Sequence, residues 1–329
     1  MVQIEDLTKN FDDFTALNGL NLNIKKGSIY GLVGVNGSGK TTAIKHLAGI
    51  YRQDSGRVYI DNTPVYDNAA LKARVGYIPD ELYFFPHYSM KMQRSFLSRM
   101  YEKWNDQRYR QLVNLLELDE KRRLSKFSKG MQKQAAFIFA MSIMPDFLLL
   151  DEPIDGLDPI VRKVVFEFMI EDVAQRELTV LISSHNLKEM DGICDAIGII
   201  KNGRMTIERD LDDLKADVHK VQVAFSAGTD DVDKYRGLDI LHKESRGGVE
   251  LLVVRGKADE VSERIRTLQP LIYDHLPLTL EEVFIYENTS HDESGALAGN
   301  ILTGEPDSGK HVRDGGKTEQ EVAVDENSN

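Results

Sequence analysis

The sequence has almost no cysteine and lacks any long apolar run. Cys194 is the only cysteine among 329 residues, which excludes a disulfide within the chain and is typical of a reducing compartment. Cys194 lies in an apolar stretch, so we interpret it as a small buried side chain and not as a reactive thiol. No window approaches the roughly 18 to 20 apolar residues of a membrane-spanning helix, and the first residues do not resemble a signal peptide. We therefore expect a soluble, cytoplasmic protein.

An excess of basic residues is also missing. Lys and Arg number 41 against 53 Asp and Glu, for a net charge of −12, which argues against nucleic acid as a partner. Nine acids and three bases lie in residues 289–329, so half of the net charge belongs to this segment. The segment is rich in Gly, Ser, Asp and Glu and has few large apolar residues to bury. We predict that 289–329 is a disordered acidic tail.

A glycine-rich motif at residues 34–41 is the main functional signal in the sequence. Ile29 to Val33 is typical of a buried strand, and the residues after it match G-x-x-x-x-G-K-[ST] before a helical pattern. Glycines allow successive backbone N–H groups to point at one anion, and the new helix adds its positive end. Lys40 can reach the outer phosphates, and the Thr41 hydroxyl can ligate Mg²⁺. The predicted phosphate-binding residues are Gly34, Val35, Asn36, Gly37, Ser38, Gly39, Lys40, Thr41 and Thr42.

Two carboxylates follow a second buried strand, FLLLDE. A parallel α/β sheet binds its ligands at the carboxyl ends of the strands, which is where Asp151 and Glu152 would lie. We predict that Asp151 holds Mg²⁺ and that Glu152 orients or deprotonates an attacking water.

Strands alternate with helices along most of the chain, which predicts an α/β fold with a mostly parallel sheet. Residues 2–35 are predicted to form strands, and the N-terminal strands among them are predicted to be antiparallel. Residues 82–89 are predicted to form a loop. Four helices are predicted from this region onward. The first covers Met90–Tyr101, the second follows an N-cap at Asn105, the third begins near Ser128, and the fourth runs from Pro159 to about Gln175. A helical insertion covers about 86–128 of a first domain, 1–215, and a small α+β appendage is predicted for 216–288.

The motifs in this order resemble the ATP-binding cassette (ABC) family over residues 1–215. The elements that carry the resemblance are Phe11, the loop GVNGSGKTT, FSKGM at 127–131, LLLDEP, DGLD at 155–158, and His185 after TVLISS. The resemblance implies the P-loop nucleotide hydrolase fold, ATP and Mg²⁺ as cofactors, and ATP hydrolysis.

The resemblance also implies roles for residues outside the phosphate loop. Phe11 would stack on adenine, and His185 would contact the γ-phosphate. Ser128 and the Gly130 backbone would form a second anion site that serves the nucleotide of a second, identical or paralogous subunit. Each ATP would then lie between one subunit's loop and its neighbour's FSKGM segment.

The sequence departs from the family pattern in two places. FSKGM has Phe127, Lys129 and Met131 where the family has Leu, Gly and Gln, but it keeps Ser128 and Gly130. In GYIPDEL, Asp80 stands where the family usually has glutamine. A carboxylate can still bind Mg²⁺ or water, so Asp80 joins Thr41 and Asp151 as a predicted metal ligand and Glu152 and His185 as a predicted catalytic residue.

Two functions remain open at this point. The first is the ATPase subunit of a transporter with a separate membrane permease, attached to the inner face of the cell membrane. The aromatic stretch 83–88 would form its docking surface, and LPLTLEEVFIY at 276–286 resembles ATPases that serve export-type permeases. The alternative is a soluble cassette ATPase that acts on ribosomes or DNA. The acidic charge, the single cassette and the lack of a long heptad coil between Tyr51 and Phe127 disfavour it.

Overall fold

A computed structural model describes residues 1–226 and 234–289. The predicted tail therefore lies outside the described residues from 290 onward. The strands are β1 (Val2–Phe11), β2 (Phe14–Ile24), β3 (Ile29–Val33), β4 (Ser55–Ile60), β5 (Thr63–Pro64), β6 (Val75–Ile78), β7 (Phe147–Leu150), β8 (Thr179–Ser184), β9 (Ala196–Lys201), β10 (Arg204–Asp210), β11 (Val218–Ala224), β12 (Asp239–Arg246), β13 (Val249–Arg255) and β14 (Ile272–Leu276). The helices are α1 (Lys40–Leu47), α2 (Ala69–Lys72), α3 (Met90–Met100), α4 (Asp106–Leu115), α5 (Lys129–Ser142), α6 (Pro159–Arg176), α7 (Leu211–Asp217), α8 (Ala258–Thr267) and α9 (Leu280–Thr289).

The central sheet has six strands in the order β10-β9-β3-β8-β7-β6. All neighbours in it are parallel except β10, which pairs with β9 in the antiparallel sense. Every residue of β3, β7 and β8 is buried, as expected when helices or other layers cover both faces of a parallel sheet. The predicted α/β fold with a mostly parallel sheet is confirmed.

The parallel arrangement decides where the motifs meet. Because β3, β6, β7 and β8 run in the same direction, the residues that follow them lie at one edge of the sheet. Those residues are Gly34 after β3, Asp80 soon after β6, Asp151 after β7 and His185 after β8.

A second sheet, β2-β1-β4-β5, is antiparallel and supplies the predicted N-terminal strands. Its apolar face, which includes Leu7, Leu20 and Ile60, shares a core with Tyr30 of β3 and Ile44 of α1. The antiparallel sheet therefore covers the face of the central sheet on which α1 packs.

The predicted helical insertion is present as α3, α4 and a 3₁₀ turn at Leu124–Lys126. The side chains of Ser89 and Asn105 accept hydrogen bonds from Met92 N (3.3 Å) and Arg108 N (2.9 Å), which places the two helix starts where the sequence predicts them. The stretch 82–89 is a loop, as predicted.

The appendage contains a four-stranded antiparallel sheet, β12-β13-β11-β14, with α8 beside it. It has a small core of its own around Val221, Leu252 and Ile265. Other residues of this region, including Leu280 and Val283 of α9, are fully buried in the same core as Leu187 and Met190. The predicted domain limits at 215 and 216 fall inside α7 and stay a prediction.

Five of these elements were not predicted from the sequence: the helices α2, α7 and α9 and the strands β9 and β10. Within the described ranges 1–226 and 234–289, none of the helices combines the length and apolar character that crossing a bilayer requires.

Cys194 is buried, with its Sγ 3.7 Å from Met190 Sδ, and burial raises the pKa of the thiol. The interpretation of this cysteine as an inert core residue is therefore supported.

Candidate functional site

The glycine-rich loop makes a tight turn between β3 and α1. Gly39 has φ +112°, and a Cβ there would lie 2.8 Å from Ala16 O, so a larger residue cannot occupy the position without displacing backbone. Gly34 N donates to Ser184 O (3.2 Å), and Ser38 N donates to Val35 O (3.1 Å). The loop therefore turns back on itself and leads into the N-terminus of α1, which is the geometry of an anion-binding turn.

The other loop residues differ in exposure. Asn36, Gly37 and Thr41 are exposed, Thr42 is half-buried, and Ser38 is buried. Within the described part of the chain, Ser38 Oγ has no hydrogen-bond partner, although it lies inside the loop that would surround a ligand. An unpartnered hydroxyl at this position fits an additional polar ligand.

Lys40 is almost fully buried at the first position of α1. Its Nζ donates to Gly34 O (2.6 Å) and Val35 O (3.3 Å), and lies 3.2 Å from Glu152 Oε1. The ammonium group thus lies inside the loop and connects it to the carboxylate that follows β7.

Asp151 is buried at the end of β7, and Ser183 Oγ donates to its Oδ1 at 2.7 Å. Burial raises the pKa of Asp151, although hydrogen bonds from the Ser183 and Thr41 hydroxyls oppose the shift. Its Oδ2 is buried and has no hydrogen-bond partner among the described residues. A buried carboxylate with a raised pKa and a free oxygen, next to an exposed hydroxyl, fits a divalent cation.

Glu152 and His185 contact each other directly. Glu152 Oε2 accepts from His185 N (3.3 Å) and lies 3.0 Å from His185 Nδ1. The backbone of Glu152 is left-handed, with φ +46°, and its N–H donates to Ser183 Oγ (3.0 Å). Asp155 lies in the same group, since one ligand atom from each of Glu152, Asp155 and His185 falls within 4.8 Å of the others. Two residues predicted to be catalytic are therefore brought together.

Asp80 lies at the same edge of the sheet but pairs elsewhere. Its side chain is half exposed, and Oδ1 lies 3.7 Å from Lys133 Nζ. Lys133 belongs to α5 and also donates to Glu152 O at 2.6 Å. Lys133 could not be predicted from the sequence, because no motif or spacing marks it. Ser183 was not predicted either, although a serine inside a buried strand is a signal of a polar site.

Phe11 lies at the end of β1, paired with Phe14 across the hairpin, and its side chain is partly exposed. It packs edge-to-face on Tyr51, with ring centroids 5.4 Å apart, and Lys9 Nζ lies 5.4 Å from its centroid. Tyr51 follows α1, so this contact links the aromatic ring to the helix that begins at the phosphate loop.

The FSKGM segment begins α5. Ser128 caps the helix by accepting from Met131 N (3.2 Å), and its side chain remains exposed. Gly130 lies against the DGLD loop, since a Cβ at Gly130 would be 2.7 Å from Gly156 O. The structure therefore packs FSKGM and DGLD, two of the segments that carry the family resemblance, against each other.

Comparison with known proteins agrees with this geometry. Residues 17–155 match the family described as ABC transporter. The chain is 33% identical over 286 residues to ABC transporter ATP-binding protein YtrB of Bacillus subtilis, covering 87% of this chain and 97% of that protein. It is 31% identical over 218 residues to bacitracin transport ATP-binding protein BcrA of Bacillus licheniformis, covering 65% and 71%, respectively.

Solved structures resemble about two-thirds of the chain. An ATP-binding subunit of an ABC transporter superposes with a TM-score of 0.60 at 26% identity, covering 65% of this chain and 92% of that one. A dimeric bacterial ABC transporter cassette gives a TM-score of 0.59 at 22% identity, covering 64% and 99%. The second likeness supports the fold alone.

Proposed function

Because this chain belongs to the ABC transporter family, as an ATP-binding and ATP-hydrolysing subunit, we propose that it drives a separate membrane permease by closing and opening on ATP together with a second cassette. The observation that carries the proposal is the convergence of four segments at one edge of the central sheet. Lys40, Glu152 and His185 are joined there by contacts of 3.2 and 3.0 Å.

We assign the phosphates to the glycine-rich loop and to Lys40. When a triphosphate is bound, its oxygens would replace the Gly34 and Val35 carbonyls and Glu152 as partners of the Lys40 ammonium group. This exchange would release Glu152 from an ion pair and leave it beside His185, where it can accept a proton from water. His185 would orient that carboxylate and contact the γ-phosphate.

Mg²⁺ fits the group formed by Asp151 and Thr41, with Asp80 as a further candidate. Asp151 Oδ2 has no hydrogen-bond partner in ranges 1–226 and 234–289, so this carboxylate oxygen can serve as a ligand for such an ion. Bound there, Mg²⁺ would neutralise phosphate charge as it does in other phosphate-loop ATPases. Asp80 would have to leave its ion pair with Lys133 to take part.

A second cassette, identical or paralogous, would complete the site. Ser128 and Gly130 would face the nucleotide held by the partner's loop, and Phe11 would stack on the adenine of its own chain's nucleotide. The exposed hydroxyl of Ser128 at the N-terminus of α5 supports this assignment, because helix N-termini bind anions.

The permease would dock beside Asp80. Exposed apolar side chains lie on the loop after β6 and on α3 next to it: Tyr83, Phe85, Met92 and Phe96. Tyr83 is 81% exposed, and several exposed apolar side chains close together are typical of a surface that binds another protein. Attachment to a permease would place the protein at the cytoplasmic face of the membrane.

Export is the favoured direction of transport. Relatives include the bacitracin transport protein and, at 28% identity over 86% of this chain, Nod factor export ATP-binding protein I of Paraburkholderia xenovorans. These names favour transport over the alternative of a soluble ATPase that acts on ribosomes or DNA.

The test uses Glu152→Gln in the full chain. The variant should still bind ATP and should accumulate as a closed dimer on size-exclusion chromatography, while turnover falls by about 100-fold. Wild-type turnover in the variant would show that Glu152 is not the base. Separately, the wild-type chain should co-purify from membranes with a multispanning protein, and failure to do so would contradict the permease assignment.

A further inference from the structure

Lys133 lies in α5, one turn after Gly130, and its ammonium group contacts two parts of the site. Nζ donates to Glu152 O at 2.6 Å and lies 3.7 Å from Asp80 Oδ1. The side chain is only 11% exposed, so its charge is held at this place and does not range through solvent. We propose that Lys133 is a positioning residue that fixes the main chain at Glu152 and holds Asp80 beside it. The proposal rests on the assignment of Glu152 as the catalytic base.

The main chain at Glu152 needs such support. A φ of +46° lies in the left-handed region, which is uncommon for residues other than glycine and persists only where the surroundings enforce it. The peptide group before Glu152 is held by the bond from its N–H to Ser183 Oγ. The peptide group after it is held by Lys133 through the carbonyl oxygen. With both groups held, the direction of the Glu152 side chain toward His185 is set.

Asp80 gives the same ammonium group a second task. An ion pair of 3.7 Å with a half-exposed carboxylate contributes little to stability by itself. Its effect is geometric, because Lys133 has three N–H donors and can serve Glu152 O and Asp80 at once. The loop after β6, which carries the exposed aromatic residues, is thereby connected to the main chain of the proposed base.

Two substitutions separate the two contacts of Lys133. Lys133→Gln keeps an N–H donor for Glu152 O but removes the charge that attracts Asp80. Lys133→Met removes both contacts and keeps most of the apolar side chain. Lys163→Gln in α6 is the matched control, because Lys163 is 77% exposed and pairs only with Glu167 of the same helix among the contacts described.

Steady-state ATP hydrolysis should show a fall in kcat with little change in KM. Lys133→Met should lower kcat by about tenfold or more, because a small displacement of a base is costly, while KM stays within about threefold. Lys133→Gln should be intermediate and Lys163→Gln unchanged. Asp80→Asn should lower kcat in the wild-type background by a larger factor than in the Lys133→Met background, because the pair is already broken there.

Hydrogen–deuterium exchange of the nucleotide-free chain provides a readout that does not depend on activity. Amides of 151–158 should exchange faster in Lys133→Met than in wild type or in Lys163→Gln. Unchanged exchange in this segment, a kcat within twofold of wild type, or equal effects of Asp80→Asn in both backgrounds would each overturn the proposal. If the wild-type chain failed to hydrolyse ATP, the catalytic roles assigned to Glu152 and His185 would be wrong. The exchange rates of 151–158 would still decide whether Lys133 fixes the main chain there.

Discussion

At the scale of one residue, Asp151 shows how the site lowers the stability of the folded chain when no nucleotide is bound. Its carboxylate is buried, and one oxygen has no hydrogen-bond partner among the described residues. Asp151→Asn removes the charge and keeps an acceptor for Ser183 Oγ. The variant should melt at a higher temperature at pH 7 without nucleotide, by about 2 °C or more for each kcal/mol gained, and should lose ATP hydrolysis.

The gain from Asp151→Asn should depend on pH with a defined sign. Burial raises the pKa of Asp151 above its unfolded value, which is about 3.9. Between the two pKa values the folded chain binds more protons than the unfolded chain, so its free energy of unfolding falls as pH rises through that window. The stabilisation by Asn should vanish below about pH 4 and should grow as pH rises above the unfolded pKa of the carboxyl group. Melting curves across this range provide the measurement, and a lower melting temperature at pH 7 would contradict the prediction.

Lys40→Ala should abolish measurable ATP binding. The substitution removes the cation that the loop holds for phosphate, which is typically worth about 3 kcal/mol, or roughly 100-fold in affinity. Titration with a fluorescent ATP analogue measures the effect. Lys72→Ala on the exposed side of α2 is the control and should bind like wild type. Equal affinity in the two variants would refute the assignment of Lys40.

The residues that could be predicted from sequence are those whose chemistry requires neighbours along the chain. Lys40 follows its glycines, and Glu152 follows four apolar residues, so local pattern was enough. Lys133 acts through a contact with Glu152, 19 positions away, and Tyr51 acts through packing on Phe11. Such contacts depend on the fold and leave no local pattern.

At the scale of elements, α5 and the DGLD loop are packed closely against each other. A Cβ at Gly130 would lie 2.7 Å from Gly156 O, and neither atom belongs to a flexible side chain. Gly130→Ala should therefore shift the loop that follows Glu152 and lower ATP turnover by about tenfold or more. Nucleotide affinity of the isolated chain should remain within about threefold.

Lys126→Ala is the neighbouring control for Gly130→Ala, because Lys126 is exposed and lies outside the FSKGM segment. Its turnover should equal that of wild type. If Gly130→Ala had wild-type turnover under the same conditions, the DGLD loop could shift without affecting ATP hydrolysis, and the prediction would be wrong.

Element prediction succeeded where caps and buried runs mark the ends, as in α3, α4 and β7. The hairpin β9-β10 was missed even though Asn202 and Gly203 mark its turn. Strand β10 has no buried residue and only two apolar side chains, so it lacks the apolar run that marks a buried strand. Helix α9 was missed, and its buried residues Leu280 and Val283 pack in a core with Leu187 and Met190, about ninety positions earlier in the chain.

At the scale of the whole molecule, the appendage and the ATPase region share an interior. Leu280 of α9 is fully buried in the core that includes Leu187 and Met190, just beyond His185, and Glu281 pairs with Lys188 at 2.8 Å. Leu280→Ala should cost about 2–5 kcal/mol of unfolding free energy. Leu271→Ala, at a site 69% exposed, should cost no more than about 0.5 kcal/mol.

Guanidinium unfolding followed by circular dichroism measures both variants. Because the core is shared, Leu280→Ala should move the transition of the ATPase region along with that of the appendage. A separate early transition, with the remainder unfolding as in wild type, would contradict a common core.

The burial of α9 beside the turn Leu187–Glu189 restricts how relatives could exchange parts by recombination. A crossover at residue 215 would combine an appendage from one parent with a Leu187 and Met190 from another, and the mismatch would fall next to His185. Viable chimaeras would have to inherit the segment from 185 to 190 and the last helix from the same parent, even though some ninety positions separate them in the gene.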